Sequence, residues 1–99
     1  QNIQEEKQII VYKLQDNEGN TPYHFAVVND QIDIVQALEK YGGDASVKNR
    51  LNDSPLYLAI QEKKKDILKL IAPKYSTLIK KNNWEKSIEE ITGTSLKIE

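Results

Sequence analysis

The chain has 99 residues, 14 basic and 15 acidic, with a formal net charge of −1 and 38% hydrophobic content. That is the length of one small domain, and so balanced a charge gives no whole-molecule field to draw in nucleic acid or an anionic membrane. Cysteine is absent and His24 is the single histidine, which excludes disulfide frameworks, thiolate nucleophiles, and Cys-based or multi-histidine metal sites.

At the N-terminus, Gln1 to Ile9 is polar and acidic, unlike the basic-then-apolar pattern of a signal peptide. No apolar run approaches the ~20 residues that span a bilayer, so membrane insertion is not expected. The chain lacks a starting methionine and reads as a piece of a longer polypeptide. Arg50 is the single arginine among many lysines, isoleucines and asparagines, a usage common in A/T-rich genomes such as those of intracellular bacteria and protists. Residues 1–15 read as a flanking helix followed by a strand-like lead into a loop.

Two similar units then follow. Asn20-Thr21-Pro22-Tyr23-His24-Phe25-Ala26-Val27 recurs as Asp53-Ser54-Pro55-Leu56-Tyr57-Leu58-Ala59-Ile60, at an offset of 33 residues. The same offset aligns Asp16 with Asn49, Asp33 with Asp66, Ile34 with Ile67, Val35 with Leu68 and Leu38 with Ile71 without a gap. Thr21-Pro22 is a helix start, with a hydroxyl at the N-cap and a proline where a missing N–H costs nothing, and Ser54-Pro55 repeats it. Tyr23, Ala26 and Val27 share one helical face, as do Leu56, Ala59 and Ile60. Asn29-Asp30 and Glu62-Lys63 interrupt the apolar pattern, and a second helix follows each break. The spacing predicts helix pairs over about 21–41 and 54–72, with Gly42-Gly43 closing the first. Neither pair buries its apolar face alone, so the units must stack.

These residues resemble the ankyrin-repeat family. Asp16 with Gly19, then Thr21-Pro22-Tyr23-His24-Phe25-Ala26, meets the family pattern of Asp, Gly, Thr-Pro-Leu-His-x-Ala with one change, Tyr23 for leucine. The second unit is similar but diverged: Asn52 stands at the glycine position, Tyr57 at the histidine position, and Pro73-Lys74-Tyr75 where Gly-Ala-Asp would lie. The resemblance implies an all-α solenoid of stacked helix–turn–helix units with projecting loop fingers. Its parts would be a flank at 1–15, a repeat at 16–48, a diverged repeat at 49–81 and a degenerate C-terminal cap at 82–99. In that cap Ser87 falls on the threonine position and forms a capping-box signature with Glu90.

Candidate chemistry is sparse. His24, three residues after Thr21, is placed to hydrogen-bond the hydroxyl and turn backbone, a structural role that the resemblance also implies. The carboxylate pairs Glu5-Glu6, Asp16/Glu18 and Glu89-Glu90 lie at helix starts or loops, where solvated charge is the simpler reading than paired acid–base catalysis. Lys63-Lys64-Lys65 lacks the arginines and interleaved aromatics of a nucleic-acid surface. Gly19 and Gly42-Gly43 form no phosphate loop. No enzyme activity, cofactor, metal or small-molecule substrate is expected.

The resemblance implies that a partner protein is held by the variable finger and inner-helix residues. Here these are Asn17, Glu18, Asn20, Val28, Asn29 and Lys48; then Arg50, Leu51, Asp53, Gln61 and Glu62; then Lys81, Asn83, Trp84 and Lys86. Leu51 is expected to be exposed. For Trp84 two readings stay open, an interface residue or packing beneath an atypical cap. The expected function is non-enzymatic protein binding, the alternative being an architectural segment packed against other domains of the same polypeptide. The expected location is intracellular, cytoplasmic or nuclear, or a host cell's cytoplasm if the source is an intracellular bacterium or parasite.

Overall fold

The computed structural model describes residues 15–93. The elements in order are α1 (Pro22–Val28), α2 (Ile32–Lys40), α3 (Pro55–Gln61), α4 (Lys65–Ile71), a 3-10 turn (Ala72–Tyr75), α5 (Ser76–Lys81) and α6 (Glu85–Thr92). The described residues contain no strand, and the architecture is the stacked helical one the periodicity predicts. The expected flank at 1–14 and the end of the chain from residue 94 lie outside the described residues.

Local chemistry starts and stops these helices. Ser54 caps α3, its Oγ accepting the Tyr57 N–H at 3.1 Å, and proline opens both α1 and α3. Each helix pair then reverses through one residue of positive φ, Asp30 at 59° and Lys63 at 55°. In both reversals the backbone closes identically: Gln31 N–H donates to Ala26 O, and Lys64 N–H to Ala59 O, each at 2.8 Å. At the end of α2, Gly42 adopts φ 87° and lets Gly43 N–H reach back to Leu38 O at 2.6 Å, the hydrogen bond that terminates a helix through a left-handed residue.

The core is a single column of side chains from successive units. Tyr23, Ala26 and Val27 of α1 and Val35 and Leu38 of α2 meet Leu56 and Ala59 of α3 and Ile67, Leu68 and Ile71 of α4, all essentially inaccessible. α1 packs on α3 and α2 on α4, so the units stack in register. Burying each of the large aliphatic side chains contributes about 1.5–3 kcal/mol. Small residues at Ala26 and Ala59 permit the close approach of the inner helices.

The C-terminal part departs from the sequence reading. Ser87 caps nothing: it is exposed at the third position of α6, whose N-cap is Trp84. Instead α5 and α6 form a third helix pair beginning at Ser76. Its reversal copies the other two, with Asn83 at φ 59° and Trp84 N–H donating to Ile79 O at 3.0 Å. The chain reaches α5 directly from α4, because Pro73 fits the first turn of the 3-10 segment and no finger intervenes. Reversal follows reversal after 20 residues here instead of 33, so the third pair is short by the length of a finger. Ile79 then occupies the position of Ala59, a larger residue where the inner helices would otherwise approach closely.

The remaining departures converge on one carboxylate. Glu39 Oε2 accepts the hydroxyls of Tyr23 at 2.6 Å and Tyr75 at 2.7 Å, and Lys74 Nζ lies 2.8 Å from Oε1. The Tyr75 hydroxyl in turn accepts the Ala45 N–H at 3.0 Å. Burial pushes the Glu39 carboxyl up, but the hydrogen bonds from Lys74, Tyr23 and Tyr75 outweigh it and hold the group below the ordinary carboxylate value. Both tyrosines are pushed up, first by burial; for Tyr23 the hydrogen bond to Glu39 adds to this, and for Tyr75 it works against the opposing Ala45 N–H. Tyr23 in place of leucine and Tyr75 in place of the loop sequence are thus two ends of one network joining α1, α2 and the 3-10 turn.

Candidate partner-binding face

The two fingers are built by the same hydrogen bonds 33 residues apart. Asp16 Oδ1 accepts the N–H groups of Glu18 and Asn20 at 2.9 and 2.8 Å. Asn49 Oδ1 accepts those of Leu51 and Asp53 at 3.0 and 2.9 Å. The backbone closes likewise, Gly19 N–H to Asp16 O and Asn52 N–H to Asn49 O. The Asn20 N–H, followed by that of Glu18, holds the Asp16 carboxyl below its usual range despite some desolvation. Asp16 therefore shapes a turn.

The fingers are joined to each other by backbone and side chain. Arg50 N–H donates to Glu18 O at 2.9 Å, and Asn49 Nδ2 to Asn20 Oδ1 at 2.9 Å. His24 completes the joint: Nδ1 accepts the Thr21 N–H at 2.9 Å, so the proton sits on Nε2, which donates to Asp53 O at 2.9 Å. Gly19 has φ 82°, and a Cβ there would lie 3.0 Å from Arg50 N and Asn49 Cα. Asn52 holds the same conformation, at φ 70°, on the second finger. Asparagine tolerates it, and no third finger arrives to crowd it.

The candidate residues fall into three groups. Asn17, Glu18, Lys48, Arg50 and Leu51 are exposed on the fingers, Leu51 being 80% accessible. Asn20 and Asp53 sit at the finger bases and are partly consumed by the joint. Val28 and Asn29, with Gln61 and Glu62, lie exposed at the far ends of α1 and α3, about 10 Å from the fingers at the rise of an α-helix. Lys81, Asn83 and Lys86 are exposed on the third pair. Trp84 is half-buried against the core, its ring 5.7 Å from that of Tyr57, which decides for packing beneath the cap.

Two features were not singled out from sequence. Phe25 is 49% exposed beside Val28 at 48%, three residues apart on one face of α1. Phe25 occupies the free position of the Thr-Pro-x-His-x-Ala run, where a large apolar residue has no core duty, and that was the available signal. The second is a cleft of about 450 Å³ between the second finger and α5, lined by Lys48, Leu51, Tyr57, Leu78, Lys81 and Trp84 among others.

Comparison with known proteins agrees with this geometry. The sequence profile described as ankyrin repeats in three copies matches residues 3–83, more than three-quarters of the chain. The chain belongs to the ankyrin-repeat family. Ankyrin repeats are in general protein–protein interaction modules. Similar proteins include chicken (Gallus gallus) NF-kappa-B inhibitor alpha, 40% identical over 48 residues, which are 48% of this chain and 15% of that protein. Inversin from the same species is 32% identical over 83 residues, 83% of this chain and 7% of the relative, and mouse (Mus musculus) inversin matches to the same extent. The chain therefore spans only a small part of the length of these relatives. No solved structure matches. Within the ankyrin frame, α1 and α3 are the inner helices, and the match ends at residue 83, in the reversal between α5 and α6. Among the described residues no helix is long and apolar enough to cross a membrane.

Proposed function

We propose that this ankyrin segment is a non-enzymatic module that holds a partner protein on the face formed by its fingers and inner helices. The observation that carries the reading is the exposure of Leu51, Phe25 and Val28, large apolar side chains that the core does not use, set among exposed polar and charged neighbours. That mixture of apolar anchors within a polar surround is the anatomy of a protein interface. Glu18 and Glu62, exposed on the same face, repel a phosphate backbone. His24 spends both ring nitrogens on loop backbone, which supports a structural and not a catalytic role.

The test compares two sets of substitutions against a captured partner. Arg50→Ala and Leu51→Ala are expected to weaken the complex by about 1–2 kcal/mol each if they lie near its centre. Neutralising Lys63, Lys64 and Lys65, at the opposite end of α3, is expected to leave affinity unchanged. Loss of binding in the lysine set alone would replace this reading with an electrostatic one. Binding only to other segments of the parent polypeptide would assign the module an architectural role.

A further inference from the structure

At the first junction the space beside a finger is filled by the next finger. Glu18 O receives a backbone N–H, Asn20 receives a side-chain amide, and His24 reaches across to Asp53 O. The second finger presents the equivalent groups, Leu51 O, Asp53 and Tyr57, but the chain passes from α4 through the 3-10 turn to α5 without forming a third finger. Among the described residues no donor reaches Leu51 O. Ile79, bulkier than Ala59, stands at the inner-helix approach, and the stacked rings of Tyr57 and Trp84 floor the gap. The result is the cleft beside Leu51. It has an unpaired backbone edge on one wall, an aromatic floor, and Lys48 and Lys81 at its rim against a single carboxylate, Asp53. A second hollow shares Lys81 and Leu78 and continues past Lys74 along α5.

We infer that this cleft takes an extended acidic peptide from a partner protein, which lies along the second finger in the place of the missing third one. The inference rests on the reading of the chain as a protein-binding module and names the chemistry of one part of its partner. An extended strand offers an N–H to Leu51 O as Arg50 offers one to Glu18 O, with alternate side chains facing the same way. Carboxylates on one side meet Lys48 and Lys81, and apolar side chains on the other settle on Tyr57, Leu78 and Trp84. Asn52 is consistent with an edge that receives a transient visitor: the intramolecular junction demands glycine at the matching position, and this one does not.

Trp84 is the chain's single tryptophan, so its emission reports occupancy of the cleft directly. A random ten-residue peptide library displayed on phage is selected against the full chain, and enriched peptides are synthesised and titrated while Trp84 fluorescence is followed. The expected result is enrichment of sequences with at least two carboxylates interleaved with apolar residues, and a saturable shift in Trp84 emission. Lys48→Glu with Lys81→Glu is expected to weaken binding at least tenfold, N-methylation of alternate peptide nitrogens to abolish it, and Lys63→Glu with Lys65→Glu to leave it unchanged. Three results would overturn the inference: no enrichment, enrichment of basic peptides, or tighter binding of oligouridylate than of any acidic peptide. If selected peptides bind but are lost on Phe25→Ala and Val28→Asp and not on the Lys48/Lys81 pair, the protein-binding reading stands and the cleft does not. Circular dichroism of each variant confirms that the helices persist.

Discussion

Replacing Glu39 with alanine removes the acceptor of two tyrosine hydroxyls and the counter-charge of Lys74 in one step. A hydrogen bond to a charged group contributes about 1.5–3 kcal/mol. The Tyr23 bond is 2.6 Å long on a residue only 1% exposed, so its loss falls within that range and strands a buried hydroxyl. Tyr75 is half-buried and keeps the Ala45 N–H, which places its loss at the lower end. The Lys74 side chain is 57% exposed, and screening limits that pair to at most about 1 kcal/mol. The expected cost is therefore about 3–4 kcal/mol. A chain of this length commands roughly 5–15 kcal/mol in total, and Tm falls about 4–8 °C per kcal/mol lost, so Tm is expected to drop by about 15–25 °C. Urea and thermal unfolding followed by circular dichroism measure it. Tyr23→Phe, which removes a donor and leaves Glu39 its other partners, is expected to cost about 1–1.5 kcal/mol. The double variant should cost clearly less than the two singles combined. Strict additivity, or a loss below about 1 kcal/mol for Glu39→Ala, would refute the network as a source of stability.

The same carboxylate sets an acid response. Its folded value lies below its unfolded one, so its contribution is complete above the ordinary glutamate pKa of about 4.3 and drains away as pH falls through the lower folded value. The stability gap between the native chain and Glu39→Gln is accordingly expected to narrow from about pH 5 downward, and a gap that widens on acidification would reverse the assignment. Gly19→Ala meets both a left-handed backbone and the second finger's main chain, and is expected to cost about 2 kcal/mol or more, whereas Asn52→Gly is expected to change stability by less than about 0.5 kcal/mol; equal effects would mean the fingers are not packed as described. Ala26→Leu or Ala59→Leu should overpack the inner-helix contact by about 1–3 kcal/mol, and unchanged Tm values would displace these residues from the core. His24→Ala gives up two backbone hydrogen bonds and is expected to lose roughly 1–3 kcal/mol, with the amide of Thr21 losing protection in hydrogen exchange.

The sequence by itself determined whatever is repeated within a short stretch of chain. The proline starts, the helix reversals at Asp30 and Lys63, the turn built on Asp16 and rebuilt on Asn49, and the apolar faces of α1 to α4 each depend on neighbours a few residues away. A second copy at a fixed offset confirms every such signal, and the position of His24 beside Thr21 was readable for the same reason. Only the tertiary structure decided the rest. Tyr23, Glu39 and Tyr75 are separated by 16 and 36 residues, and nothing local marks three odd residues as one network. Ser87 and Glu90 satisfied a capping signature that the fold did not use, because the 3-10 turn at Pro73 let α5 begin early and moved the third reversal to Asn83. Trp84 looked equally suited to surface and core until the stack brought it beside Tyr57. The cleft itself is a space between elements, created by a finger the chain never forms, and local pattern carries no record of a contact that is missing.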